Sequence, residues 1–199
     1  MIEIKKKNCS EPYNIFFNYL DKALKTKQPS VDAISISSFN RDLNEVDSRF
    51  VNLKYIIDDE WIFFSNYNSK KSKDFSTHDQ ISILVYWNEI NVQIRIKAKI
   101  NKSSPSLSDI HFTGRTKEKN ALALSSGQSE AIDSYEAVQR NYKATLNNNK
   151  KLFKRPDFWG GYSFTPYYFE FWEGHNSRLN RRSVYENSKG CWNLSLLQP

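Results

Sequence analysis

The sequence predicts an α+β protein, mainly β, organised as an antiparallel barrel or sheet with peripheral helices. Three observations predict it. Between residues 33 and 100, short apolar runs follow one another with brief connections. Several of these runs alternate with period two, as half-buried strands do. The strands do not alternate with long helices, which argues against a doubly wound parallel sheet.

Residues 12–26, PYNIFFNYLDKALKT, read as an amphipathic helix, with Ile15, Phe16, Tyr19, Leu20, Ala23 and Leu24 at helical spacing. Pro29 ends that region. AISISSF (33–39) alternates, and RFVNLKYII (49–57) does so in part. EWIFF (60–64) and ISILVYW (81–87) are short, apolar and rich in β-formers. VQIRIKAKI (92–100) puts Val92, Ile94, Ile96, Ala98 and Ile100 on one face, opposite Gln93, Arg95, Lys97 and Lys99. Further strands are expected near 162–172 and 191–197. Helices are expected over 69–77, 106–114 and 129–147, the last with a stripe of Ala131, Ile132, Tyr135, Val138, Tyr142 and Leu146. Residues 147–156 read as a loop. With no repeat, low-complexity tract or linker, one domain over 1–199 is expected.

The net charge is +7, which favours anionic partners. Aromatic residues make up 15% of the chain, too many for a disordered one. Cys9 and Cys191 have no paired spacing, so neither a disulfide framework nor a CxxC metal site is expected. The N-terminal residues lack the apolar core of a signal peptide, and no run approaches the roughly 20 residues of a membrane span. A cytoplasmic setting and no membrane association are the expectation. GxGxxG, GxxxxGK[ST] and GxSxG are absent, and His78, His111 and His175 stand apart, so no metal site is expected. Catalysis, if present, would draw its chemistry from a bound cofactor.

Two helix starts suit an anion. Ser69 is an N-cap residue, yet Lys70, Lys71 and Lys73 follow in the first turn. Cations there oppose the helix dipole by about 0.3–1 kcal/mol each, and a bound anion would reverse that. A solvated charged turn is the plain alternative. Ser129 is expected to cap the 129–147 helix, where Gln128 and Ser129 could receive a phosphate or serve as an ordinary cap.

The pieces SRFVNLK (48–54), WIFFSNYNSKKSKD (61–74), ISILVYW with VQIRI (81–96), SSGQSEAI (125–132), FWGGY (158–162), EFWEGHNSRL (170–179) and WNLSLLQP (192–199) carry a resemblance. In this order and spacing the chain resembles the FMN-dependent pyridoxamine 5′-phosphate oxidases over residues 30–199, leaving 1–29 as an N-terminal helical extension. The resemblance implies an FMN-binding split β-barrel, a homodimer with FMN at the interface, and a phosphorylated vitamin B6 substrate. The implied reaction oxidises pyridoxamine or pyridoxine 5′-phosphate to pyridoxal 5′-phosphate, with hydride passing from C4′ to flavin and O₂ reduced to hydrogen peroxide.

By position, the resemblance assigns the cofactor to Arg49, Phe50, Val51, Asn52, Leu53, Lys54, Phe64, Ser65, Lys70, Lys71, Gln93, Gln128, Ser129, Trp172 and Arg182. Arg49 and the two lysines would face the FMN phosphate, which would account for cations in that first turn. It assigns the substrate to Lys54, His111, Arg115, Lys119, Arg178 and Asn180. Arg178 would lie over the substrate ring, as the catalytic positioning group.

The chain departs from the family mostly on the substrate side. RLNRR replaces the usual RLHDR, so Asn180 stands for a histidine and Arg181 for an aspartate. His111 stands for a tyrosine, and Lys119 for a serine within GRTKEKNALAL. On the cofactor side, Asn52 replaces an apolar residue and Val92 an arginine. A sister FMN oxidase of a phenazine-type aromatic, or a non-catalytic FMN or pyridoxal-phosphate carrier, is the alternative reading. A nucleic-acid binder is not expected, because no recognised binding motif is present.

Overall fold

The computed structural model describes residues 2–148 and 152–199. Among these residues, ten strands form one mixed sheet wrapped into a split β-barrel, with five α-helices outside it. The strands are β1 (Glu3–Lys7), β2 (Ala33–Asn40), β3 (Glu45–Asn52), β4 (Tyr55–Asp58), β5 (Glu60–Asn66), β6 (Gln80–Trp87), β7 (Val92–Lys102), β8 (Trp159–Glu173), β9 (Arg181–Ser188) and β10 (Cys191–Leu197). The helices are α1 (Glu11–Lys25), α2 (Lys70–Thr77), α3 (Pro105–Thr113), α4 (Lys117–Ser125) and α5 (Tyr135–Asn147).

The hydrogen-bonded order is β1-β4-β5-β8-β7-β6-β2-β3, with β9 on β8 and β10 on β9. The β1–β4 pair is parallel, and the other pairs are antiparallel. The fifteen-residue β8 joins β5 at its start to β9 at its end, while β7 runs alongside. The β7–β8 register shifts where Lys97 pairs with Tyr168 but Ala98 with Pro166. Tyr167 is the extra residue, beside a proline that cannot donate to a ladder.

The alternation read in β7 is the barrel interior: Val92, Ile94, Ile96, Ala98 and Ile100 are all buried. Trp61, Phe63, Phe164 and Phe169 fill it further. The amphipathic α1 closes one side. Its Phe16 ring lies 4.4 Å from Trp61 and 5.6 Å from Trp87 between centroids. Truncating such a residue to Ala costs about 3–5 kcal/mol.

Several expectations need correction. β1 was not foreseen, because its lysine-rich residues carry no apolar pattern; its backbone pairing with β4 makes it a strand. The run 49–57 is two strands, broken at Leu53 and Lys54. β9 and α4 were also unforeseen. The last long helix begins at Tyr135, not at Ser129. Ser134 is its cap, with the hydroxyl accepting from the Ala137 N–H at 3.2 Å. Ser129 has a φ of 73°, in a turn where the Glu130 N–H meets the Gly127 carbonyl, so it cannot hold the extended backbone an N-cap needs. The expected loop 147–156 lies partly outside the described residues.

Candidate functional site

A cavity of about 570 Å³ opens between β3, β5 and the α3–α4 corner. It is built where β3 ends. Leu53 turns fully into the core and donates its N–H to the Asp32 carbonyl. Its neighbours Phe50, Val51, Asn52 and Lys54 line the cavity instead. Lys54 is paired with Asp32 at 2.9 Å.

The start of α2 forms one cationic end. The Ser69 hydroxyl makes no capping bond and donates instead to the Asn66 carbonyl. Lys71 is 7% exposed, with its ammonium donating to Ser69 Oγ at 3.1 Å. Among the described residues no carboxylate lies within ion-pair distance of it. Burial, then the charge of Arg49, brings the ammonium down to about 8, against the pull of Asp74. Arg49 sits behind the cavity, donating to Ser38 Oγ at 2.6 Å and facing Asp74 and Asp47 at 3.4 and 3.1 Å. Lys70 turns outward to Asp47 at 3.1 Å and does not line the cavity.

The opposite wall is aromatic. The Phe64 and Trp159 rings are near parallel, 5.4 Å apart, and His111 lies 3.7 Å from Phe64. Gly161 permits this packing, since a Cβ there would collide with the Ser103 hydroxyl and stand 3.1 Å from the Phe64 ring. Tyr55 Oη and His111 Nδ1 are hydrogen-bonded at 2.7 Å. Burial, followed by the charges of Arg115, Lys54, Lys5 and Lys119, brings the imidazole down to about 4. Arg115 lies over Trp159, 4.4 Å from its centroid, and donates from Nη2 to the Lys119 carbonyl. Its buried Nη1 has no hydrogen-bond partner among the described residues. Gln128 closes the rim, its Oε1 accepting from Ser65 Oγ and the Asn66 N–H, both at 3.3 Å.

The cavity therefore gathers Phe50, Val51, Asn52, Lys54, Phe64, Ser65, Lys71, His111, Arg115, Lys119 and Gln128. It does not include Arg49, Leu53, Lys70, Gln93, Ser129, Trp172, Arg178, Asn180 or Arg182. Three of these form a second group. Gln93, Trp172 and Arg182 lie directly opposite one another across β7, β8 and β9. Arg178 and Asn180 occupy the turn that joins β8 to β9. There Arg178 has a φ of 61° and Asn180 Oδ1 accepts from the His175 N–H at 3.0 Å.

Sequence reasoning missed Tyr55, Trp159 and Glu170. Trp159 and Glu170 lie inside the quoted pieces FWGGY and EFWEGHNSRL, but nothing local marks their roles. Among the described residues no group of three or more His, Cys, Asp or Glu could hold a metal ion, and no helix is long and apolar enough to cross a membrane.

The donor set fits a phosphorylated flavin. A buried ammonium without a carboxylate, an unpartnered guanidinium N–H and a flat aromatic wall suit an anionic, ring-bearing ligand.

Residues 159–199 match the pyridoxine 5′-phosphate oxidase C-terminal dimerisation region. The chain is 32% identical over 192 residues to pyridoxine/pyridoxamine 5′-phosphate oxidase from Burkholderia cenocepacia, covering 95% of this chain and 89% of the relative. A relative of that name from Leptospira interrogans is 30% identical over 193 residues, covering 96% and 89%. The crystal structure of PhzG from Burkholderia lata, in complex with tetrahydrophenazine-1-carboxylic acid, superposes with a TM-score of 0.89 at 28% identity, covering 96% of this chain and 93% of that one. An FMN-binding protein related to pyridoxamine 5′-phosphate oxidase, from Nostoc punctiforme, shares the fold at TM-score 0.75 and 11% identity, covering 96% and 99%. With its cavity, its barrel and a relative matched along nearly its whole length, this chain belongs to the pyridoxine/pyridoxamine 5′-phosphate oxidase family.

Proposed function

We propose that the protein is an FMN-dependent oxidase that converts pyridoxamine or pyridoxine 5′-phosphate to pyridoxal 5′-phosphate. The observation that carries this reading is the pair of cations without carboxylates in one cavity: the Lys71 ammonium and Arg115 Nη1. Two such groups suit two phosphates, one on the cofactor and one on the substrate. Lys71, backed by Arg49 with Lys70 outside it, would hold the FMN phosphate, while Ser65, Gln128, Phe50, Val51 and Asn52 would border the cofactor. Arg115, His111, Lys119 and Lys54 would hold the substrate phosphate. When bound, FMN would supply the hydride acceptor, with O₂ as the final oxidant and hydrogen peroxide as its product. The amine substrate then yields ammonia with uptake of water.

The remaining groups are proposed to come from a second copy. Gln93, Trp172 and Arg182 would face the flavin across a homodimer interface, and Arg178 would orient C4′. The match of 159–199 to a dimerisation region supports this, since three of these four residues lie within it.

The test is anaerobic mixing of the flavin-loaded protein with pyridoxamine 5′-phosphate, watching the visible flavin band. Bleaching is expected. A second reading has a specific support: the likeness to PhzG along nearly the whole chain, together with Asn180 in place of the usual histidine. A carboxylate would suit Arg115 as a phosphate does. Bleaching by a reduced phenazine carboxylic acid, and not by pyridoxamine 5′-phosphate, would establish that reading instead. Bound FMN that neither compound bleaches would point to a carrier.

A further inference from the structure

Glu170 is 2% exposed, and three side chains converge on it. Arg182 donates to Oε1 from Nε at 3.1 Å and from Nη2 at 2.7 Å. Arg95 and Tyr168 donate to Oε2 at 2.7 and 2.9 Å. Burial alone would raise this carboxyl, but the bonds from Arg182 and Tyr168 outweigh it and leave it lowered. Arg182 has one further anchor, the Gln198 carbonyl, which accepts from Nη1 at 3.0 Å. Leu197, the last residue of β10, pairs with Arg182 in register.

These bonds define a plane. Three of the five guanidinium N–H groups are committed, and the group is rigid and flat. Trp172 stands directly opposite Arg182, and it shares its face of β8 with Glu170, two residues away. A solvated arginine would sample many rotamers beside that ring; this one is held from Glu170 on β8 and from the Gln198 carbonyl together. Two arginines share one carboxylate, so these three groups keep a net positive charge, which would favour the reduced, anionic form of a flavin placed beside them.

We propose that Glu170 and the Gln198 carbonyl are positioning groups that hold Arg182 beside Trp172 for flavin recognition. This rests on the reading that the Gln93–Trp172–Arg182 row faces FMN.

The test is a double-mutant cycle on FMN affinity, read by flavin fluorescence, with the visible circular dichroism of the bound flavin as a second readout. Glu170→Gln is expected to weaken FMN by at least about tenfold and to shift the dichroic bands, as loss of an outer support does for ligating residues. In an Arg182→Ala background the same change is expected to weaken FMN no further. Equal weakening in both backgrounds would overturn the proposal, because Glu170 would then act on the fold and not through Arg182. Unchanged affinity and spectrum in Glu170→Gln would overturn it too. A chain ending in an amidated Leu197 removes the Nη1 anchor without placing a terminal carboxylate beside Arg182, and tests the positioning of Arg182 independently of Glu170. It is expected to shift the dichroic bands, and an unshifted spectrum would overturn the role of Gln198. Failure of the unaltered protein to bind FMN would overturn the cofactor reading itself.

Discussion

The His111 imidazole lies parallel to the Phe64 ring, with centroids 3.7 Å apart and planes 4° from parallel. Its Nδ1 is bonded to Tyr55, which leaves Nε2 as its other polar atom, and Arg115 and Lys119 line the same cavity. A charged imidazole is disfavoured there by burial and by the surrounding cations.

His111 should make the stability of the protein depend on pH. The His111 value of about 4 in the folded protein lies below the roughly 6.5 of an unfolded chain. Between those values the unfolded chain binds more protons, so this group makes stability rise with pH and fall on acidification. In His111→Phe the loss of stability between about pH 6.5 and pH 4.5 should be smaller than in the unaltered protein. Urea unfolding of the flavin-free protein at both pH values measures it, and an unchanged loss would contradict this role for His111.

Lys71 should couple flavin binding to protons. Its ammonium, at about 8 when free, would be raised by a phosphate placed against it. Binding of FMN at about pH 8.5 should therefore take up protons, and affinity should fall as pH rises through that range. Calorimetric titration in two buffers of different ionisation heat reads the uptake. Lys71→Met should abolish it and weaken FMN by about tenfold or more. Uptake that persists in Lys71→Met would place its source elsewhere.

Arg115 offers a separation of stability from binding. Its Nη1 is buried without a partner, which costs the substrate-free protein stability. Arg115→Met should leave the thermal midpoint of the flavin-loaded protein unchanged or higher. It should also raise KM for a phosphorylated substrate by about tenfold or more, with a smaller change in kcat. A lowered midpoint with unchanged KM would show Arg115 to be a structural residue.

Asn180 holds the turn that carries Arg178, by accepting the His175 N–H. Asn180→Ala should free that turn and lower kcat several-fold, while FMN affinity stays within about twofold. Steady-state kinetics beside a flavin titration separate the two, and loss of FMN binding would assign Asn180 to the cofactor instead.

Gly161 sets the aromatic wall. Gly161→Ala would press on Ser103 and the Phe64 ring, at a cost of about 1–3 kcal/mol. Thermal unfolding measures it, and an unchanged midpoint would mean that this wall can shift freely.

Much of the barrel was legible in the residues because alternation is a local property. β7 reads as a strand with its interior face marked, α1 follows from its apolar spacing, and the start of α2 from Ser69. β1 was not legible, because EIKKK has no apolar pattern and becomes a strand only by lying beside β4. α4 was not, because KEKNALALS has no clear apolar stripe. The choice of Ser134 over Ser129 as cap was decided by a left-handed backbone turn that neither serine's side chain announces.

For the site, the sequence by itself determined the family, the basic and aromatic residue types, and where substrate-side departures fall. Only the tertiary structure decided which of them meet. It sent Leu53 into the core and Lys70 to Asp47, joined Lys71 and Arg115 in one cavity, and set Gln93, Trp172 and Arg182 in a separate row. The physical reason is that partners far apart in the chain set these outcomes. Asp47 answers Lys70, Tyr55 answers His111, and Glu170 answers both Arg95 and Arg182 through strand register that no local pattern encodes.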